Sequence, residues 1–164
     1  MARKDFEDWQ DFLEYVLRGD KHAISFCLDL FDVSQIWDDI IDDDNPNLIV
    51  EDAYRSFWKA LVDIPRNPFY QANFGELQPL IQAALSDWMD ANELQRGSLN
   101  EKAAAFTLRD TLTRIVITCA RIVGGYEWMR VVSLKVSKTL YDESFDLFLE
   151  ELDGKWISPG NQGD

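Results

Sequence analysis

The densest chemistry in the chain is a run of carboxylates, Asp38-Asp39-Ile40-Ile41-Asp42, continued at once by Asp43 and Asp44. It has the form DDxxD and closes a strongly apolar helical stretch. Residues four apart share a helix face, so the Asp38 and Asp42 carboxylates can meet at one ion. Oxygen ligands in that arrangement suit one or two Mg²⁺ ions, with Asp39 as a further ligand. The stripe Cys27, Phe31, Ser34, Asp38, Asp42 sets Asp38 beside apolar neighbours, as an inward-facing metal site needs. A second constellation is the polar stripe Thr107, Asp110, Thr111, Arg114, Thr118, Arg121, opposite Leu108, Leu112, Ile115, Val116, Cys119 and Ile122. Arg114 and Arg121 are the candidate phosphate-binding residues, and pairing with Asp110 or with the aspartates of the second helix is their alternative role. The alternative for the aspartates is a solvated acidic helix end. Carboxylates there face the negative end of the helix dipole and repel each other, so the cluster calls for a cation, an arginine or a binding partner.

Helical periodicity must position these groups, because no run alternates as a strand would. The spacing predicts a first helix over 5–17, with Phe6, Trp9, Phe12, Leu13, Val16 and Leu17 on one face. Gly19 ends it and Asp20 caps a second helix over 21–42. Asn45-Pro46-Asn47 breaks the chain before a third helix over 48–62, whose apolar positions are Tyr54, Phe57, Trp58, Leu61 and Val62. Pro65 and Pro68 make 64–70 a rigid connector. A helix over 75–94 follows, with Pro79 in its opening turn. Ser98 and Glu101 have the form of a capping box for a helix over 98–123, which Gly124-Gly125 stops. A last stretch over 127–152 is a candidate for a break near Tyr141-Asp142. The expectation is an all-α protein, one compact bundle of six to seven helices over 1–157, with 158–164 a mobile polar tail.

The chain has 164 residues, 30 acids against 16 bases, and a formal net charge of -14. That length suits one domain, and 46% hydrophobic residues are enough to build a core despite the charge. A net charge of that sign argues against direct nucleic-acid binding. No apolar run reaches the length of a membrane span and the N-terminus lacks a signal-peptide core, so the expected location is cytoplasmic. His22 is the single histidine, and Cys27 and Cys119 stand alone among apolar neighbours, read as buried free thiols. Zinc sites, a Cys-His pair and phosphate-binding glycine loops are therefore excluded.

Charge is uneven. Residues 1–65 hold 16 acids and 6 bases, whereas 97–138 hold 7 bases against Glu101, Asp110 and Glu127. An acidic half of this kind can attract a basic-leaning hairpin within the fold, or serve a separate partner. Trp9, Phe12, Phe31, Trp37, Phe57, Trp58 and Trp88 fall on apolar stripes and are expected in the core. Trp128 and Trp156 are expected at the surface, where tryptophan beside acids marks a protein interface.

The DDxxD segment resembles the aspartate-rich motif of class I terpenoid synthases. That resemblance implies an all-α enzyme binding Mg²⁺ and a diphosphate through Asp38, Asp39 and Asp42, a Mg-dependent lyase or transferase. The second metal motif of that family, (N/D)xxx(S/T)xxxE, is not found; Asp142-Glu143-Ser144-Phe145-Asp146 is spaced differently. Taken together, Asp29-Leu30-Phe31, Ser34-Gln35-Ile36-Trp37-Asp38-Asp39, Asn67-Pro68-Phe69-Tyr70 and Val123-Gly124-Gly125-Tyr126-Glu127-Trp128 look similar to small helical proteins of tailed bacteriophages. This implies an accessory protein in the bacterial host's cytoplasm. Three functions follow, ranked in this order. The first is a non-enzymatic protein that binds a protein partner, basic in character, through Asp38, Asp39, Asp42, Asp43, Asp44, Trp128 and Trp156. The second is the Mg²⁺-dependent diphosphate-binding site. The third is a nucleic-acid mimic whose carboxylates imitate phosphates and occupy a basic groove on a defence or DNA-handling protein.

Overall fold

Apolar positions recur at spacings of three and four, and every regular element in the computed structural model is a helix. The structure describes residues 9–42, 47–140 and 143–156, and among these there is no strand. The protein is an all-α bundle, as its periodicity predicts. Its helices are α1 (Trp9–Val16), α2 (Lys21–Asp42), α3 (Val50–Trp58), α4 (Ile64–Arg66), α5 (Pro68–Ala72), α6 (Phe74–Leu94), α7 (Leu99–Leu108), α8 (Leu112–Leu140) and α9 (Phe145–Trp156). A π-helical turn, Lys59–Asp63, joins α3 to α4. No helix among the described residues is long and apolar enough to cross a membrane.

The helix ends follow local chemistry. The chain leaves α1 through Arg18 and Gly19, both at positive φ, and the Gly19 N–H donates to the Glu14 carbonyl at 2.9 Å. The Asp20 carboxylate then accepts from the N–H groups of His22 and Ala23, capping α2 as expected. Ser98 and Glu101 form the predicted capping box at the start of α7. Its charge-assisted bonds to the Ser98 hydroxyl and backbone hold the Glu101 carboxyl below its usual range.

Residues 64–70 are more helical than two prolines suggest. Pro65 cannot donate to the Leu61 carbonyl and its ring would crowd it, and the π turn immediately before it loosens that ladder. Only Asn67, the residue before Pro68, is extended (φ -63°, ψ 123°). Its buried side chain caps α5, accepting from Phe69 and Tyr70, and donates to the His22 carbonyl at 2.9 Å.

Two further boundaries differ from the periodic reading. The helix expected over 98–123 breaks at 109–111, where the Thr113 hydroxyl donates to the Asp110 carboxylate at 2.6 Å and a new helix starts. At Gly125 the backbone takes φ 80°, ψ -179°, a conformation open only to glycine, so α8 is two helical halves, 112–124 and 126–140, set at an angle. The predicted break near 141–142 and the tail at 158–164 fall outside the described residues.

The main core gathers Phe12, Leu13, Val16 and Leu17 of the first turn region with Ala23, Phe26, Cys27 and Leu30 of α2. Phe69 and Tyr70 of α5, Leu77 of α6 and Ile115, Val116, Cys119, Val132 and Val136 of α8 complete it. Each large side chain buried there contributes about 1.5–3 kcal/mol of transfer free energy. A smaller cluster joins Ala91 of α6, Ala105 of α7, and Phe148 and Leu152 of α9.

Cys27 and Cys119 meet where α2 crosses α8, sulfur to sulfur 3.9 Å apart, both fully buried free thiols. The contact with Cys119, then burial, push the Cys27 thiol well above its ordinary range. The folded protein therefore holds a proton that an unfolded thiol gives up near pH ~8.5, so this contribution is complete below that pH and is lost as pH rises above it. In native protein at pH 8 both thiols should be silent to an aromatic disulfide reagent and should titrate together in denaturant. Prompt reaction of one thiol in the native state would contradict this packing.

Gly124 carries a second expectation. A Cβ on it would overlap the Trp128 ring, which is itself fixed by the bond from its indole N–H to the Val16 carbonyl at 2.8 Å. Gly124→Ala should cost about 1–3 kcal/mol, the scale of overpacking, with a changed near-ultraviolet tryptophan signal. A melting curve identical to that of the parent would contradict it.

Candidate functional site

The acidic end of α2 does not gather its carboxylates on one point. Asp38 faces the α7–α8 turn, where its Oδ1 lies 3.5 Å from the Arg109 guanidinium. Asp39, a hundred degrees around the helix, accepts from the Gln35 side chain at 3.0 Å along its own helix. The side chain of Asp42, and all of Asp43 and Asp44, lie outside the described residues. Among the described residues no group of three or more His, Cys, Asp or Glu side chains converges as metal ligands would.

The arginine that reaches the cluster is Arg109, which the periodic reading passed over. It sits in the turn between α7 and α8. Its guanidinium contacts Asp38, donates to Gln95 Oε1 at 3.3 Å and lies 5.6 Å from the centre of the Phe148 ring. One side chain thus ties α2 to the smaller cluster formed by α6, α7 and α9. Arg121 pairs with Glu76 of α6, and Arg114 projects from α8 into solvent with no ion pair among the described residues. The signal for Arg109 was the sequence Asp110-Thr111-Leu112-Thr113, a cap-forming segment inside an otherwise helical pattern.

Trp128 is not the exposed residue its position after two glycines suggests. It is half-buried, bonded to the Val16 carbonyl, edge-on to Tyr15 and covered by the Arg18 guanidinium at 5.4 Å. The kink at Gly125 swings it against α1, where it closes the core. The side chain of Trp156 lies outside the described residues.

The opposite correction applies to α3 and the second half of α2. Beyond Leu30, no described side chain of α2 is buried, and α3 contributes only Ser56. Trp37, Phe57 and Trp58, expected in the core, are exposed. On α3 and the π turn, Tyr54 is 66% exposed, Phe57 52%, Trp58 61% and Leu61 70%. The inner face carries small or polar groups instead: Ala53, Ser56, Lys59 and Ala60. Ser56 is buried with its hydroxyl unpartnered. Lys59 supplies the electrostatic attachment, with its ammonium 3.1 Å from Asp29 and 2.5 Å from Asp32 of α2. Burial pushes the Lys59 ammonium down, but the bonds and charges of Asp32 and Asp29 outweigh it and hold it above the usual lysine range. Trp37 and Phe57 meet edge to face with ring centres 6.0 Å apart, joining the exposed apolar residues of both helices into one surface.

An open depression beside the α1–α2 turn, lined by Arg18, Asp20 and Asn73 among others, holds no reactive pair. Arg18 is over Trp128 and Asp20 caps α2.

Arg109→Ala removes an ion pair, a hydrogen bond and a ring contact together. Partial exposure of both charges limits the ion pair, so a total loss of about 1–2 kcal/mol is expected, read as a lower melting temperature with helical circular dichroism retained. The same variant takes the guanidinium away from Asp38 and is the background in which Mg²⁺ is best tested. A Mg²⁺-specific rise in melting temperature over NaCl of equal ionic strength, abolished by Asp38→Ala, is the outcome a metal site requires.

Comparison of the chain with protein-family models, with curated proteins and with solved structures gives no match in any of the three.

Proposed function

We propose that this is a non-enzymatic interaction protein, an accessory protein of bacteriophage type acting in a bacterial cytoplasm by binding a protein partner. The observation that carries this reading is the reversed amphipathicity of α3. Its large aromatic and aliphatic side chains face solvent while alanine, serine and an ion-paired lysine face the rest of the molecule. Burial of apolar surface drives folding, and a helix that leaves Tyr54, Phe57, Trp58 and Leu61 in water forgoes that gain. A contiguous apolar patch edged by charge is the common form of a protein interaction surface. The acidic cluster supports the same reading. Asp38 already has a cationic partner in Arg109, and the net negative charge of residues 1–65 suits steering of a basic partner.

The test is a charge reversal. Asp42 is the last residue of α2 and Asp43 and Asp44 are next in sequence, where lysine suits the helix dipole better than aspartate. The triple change to lysine is expected to leave the melting temperature at or above that of the parent. It should slow association with the cellular partner and flatten the dependence of that rate on salt, because steering is screened beyond about 8 Å at physiological ionic strength. A folded variant that captures the same partner with the same salt dependence would show that these carboxylates do not steer binding.

A further inference from the structure

Resting on that reading, we infer that the exposed seam of α3 is the docking site for a single α-helix bearing apolar residues at three- and four-residue spacing between lysine or arginine flanks. Val50, Tyr54, Phe57 and Leu61 are separated by four, three and four residues, the alternation of the seam by which one helix packs on another. All four are more than half exposed. They run along one side of an element whose other side is held to α2 by Lys59, Asp29 and Asp32. Trp37 extends the surface sideways from α2 through its contact with Phe57, and Ile41 is exposed one turn further on. A partner helix laid on this seam would bury aromatic anchors of the kind that dominate interface energetics.

Charge selects among the occupants. In sequence, residues 29–63 hold ten acids against two bases, Arg55 and Lys59. That is a net of -8 out of the chain's -14. The acids among the described residues of this acidic arm, the outer half of α2 with α3 and the π turn, are Asp29, Asp32, Asp38, Asp39, Glu51, Asp52 and Asp63. Lys59 is already committed to two of the acids and Arg55 lies 4.0 Å from Asp52, so the surroundings of the seam are strongly negative. A second copy docked seam to seam would bring the two acidic arms together, which like-charge repulsion opposes. An acidic or neutral helix would match the apolar stripe and meet the wrong field. A basic amphipathic helix satisfies both.

The stripe also has little to do in folding. Val50, Tyr54, Phe57 and Leu61 can be made polar without opening a cavity, so binding can be separated from stability.

The probe is a synthetic 18-residue helix with leucine at the seam positions and lysine elsewhere, fluorescently labelled for anisotropy. One control is a peptide of the same composition in shuffled order, and a second replaces every lysine by glutamate. The basic helix is expected to bind and to weaken as salt rises. The shuffled peptide should bind at least about tenfold more weakly, and the acidic helix should not bind. Phe57→Ser with Leu61→Ser should reduce affinity for the basic helix at least about tenfold, as truncating two anchors does, with the melting temperature unchanged within a few degrees. If that pair impairs folding, Val50→Ser with Tyr54→Ser tests the other half of the seam. Equal binding of the shuffled peptide, or undiminished binding by both double variants, would overturn the inference. So would a parent dimer that the double variants convert to monomer, because the seam would then belong to a second copy. The same variants separate this inference from the reading beneath it. If they still associate with the cellular partner, the interaction function stands and the helix-on-α3 site falls. If the parent itself has no cellular partner, the interaction function falls whatever the peptide does.

Discussion

The fold turns on the burial of one half of α2. Ala23, Phe26 and Cys27 are fully buried and Leu30 nearly so, and α2 touches α1, α3, α4, α5 and α8 along its length. Phe26 stacks on Tyr70 of α5 and Cys27 meets Cys119 of α8. Asn67, bonded to the His22 carbonyl, locks the α5 turn to the start of the same helix. Once these contacts are made, the position of every element in the main core is constrained. Among the described residues of the second half of α2 none is buried: Val33 only flanks the core, and α3 runs alongside. Half of one helix therefore organises the molecule, and the other half presents a surface.

That division explains which parts were legible in the sequence. The all-α class, the limits of α2, the cap at Asp20, the capping box at Ser98 and the glycine break at 124–125 all follow from local rules, and each is present. Local chemistry decides those features, so tertiary context has little to overrule. The break at 109–111 was hidden because Leu108, Leu112 and Ile115 keep helical spacing across it. Apolar periodicity reports a common face and is blind to a turn that preserves the face. The π turn was hidden for the same reason, since it changes the ladder of hydrogen bonds without interrupting the apolar pattern.

The candidate site was less legible, and the errors have one physical source. Periodicity identifies a stripe but cannot say whether the stripe is covered. Trp37, Phe57 and Trp58 read as core because apolar stripes usually are, whereas none of the described residues forms a layer over α3. Trp128 read as surface because it follows two glycines. The positive φ at Gly125 turns it inward instead, where the Val16 carbonyl satisfies its indole. The regular polar stripe of α8 offers Arg114 and Arg121 as partners for Asp38, but neither pairs with it. The arginine that does is Arg109, whose place in a turn lets it reach α2, the end of α6 and α9 at once. Pairing across the molecule depends on the angles between helices, and those are set by packing rather than by spacing along the chain.

How α3 stays in place while its apolar side faces water is the remaining physical question, and its answer bears on what the surface can do. An apolar helix would ordinarily turn its large side chains inward. Here Lys59 joins Asp29 and Asp32, and Trp58 donates from its indole to Asp63, fixing the polar side of the segment. Asp52 accepts from the Ile49 N–H at the first turn, anchoring the helix start. Rotating α3 to bury Tyr54, Phe57 and Leu61 against α2 would pull Lys59 away from both carboxylates. It would leave Asp29, itself largely buried, without its cation, a state that costs more than the loss of an exposed pair. The inner face is also built of alanine and serine, and putting the larger aromatic rings there would force α3 away from α2. Charge and side-chain size thus hold the helix in the orientation that exposes its seam. Because neither device draws on the main core, the seam can be emptied or filled without disturbing the fold that carries it.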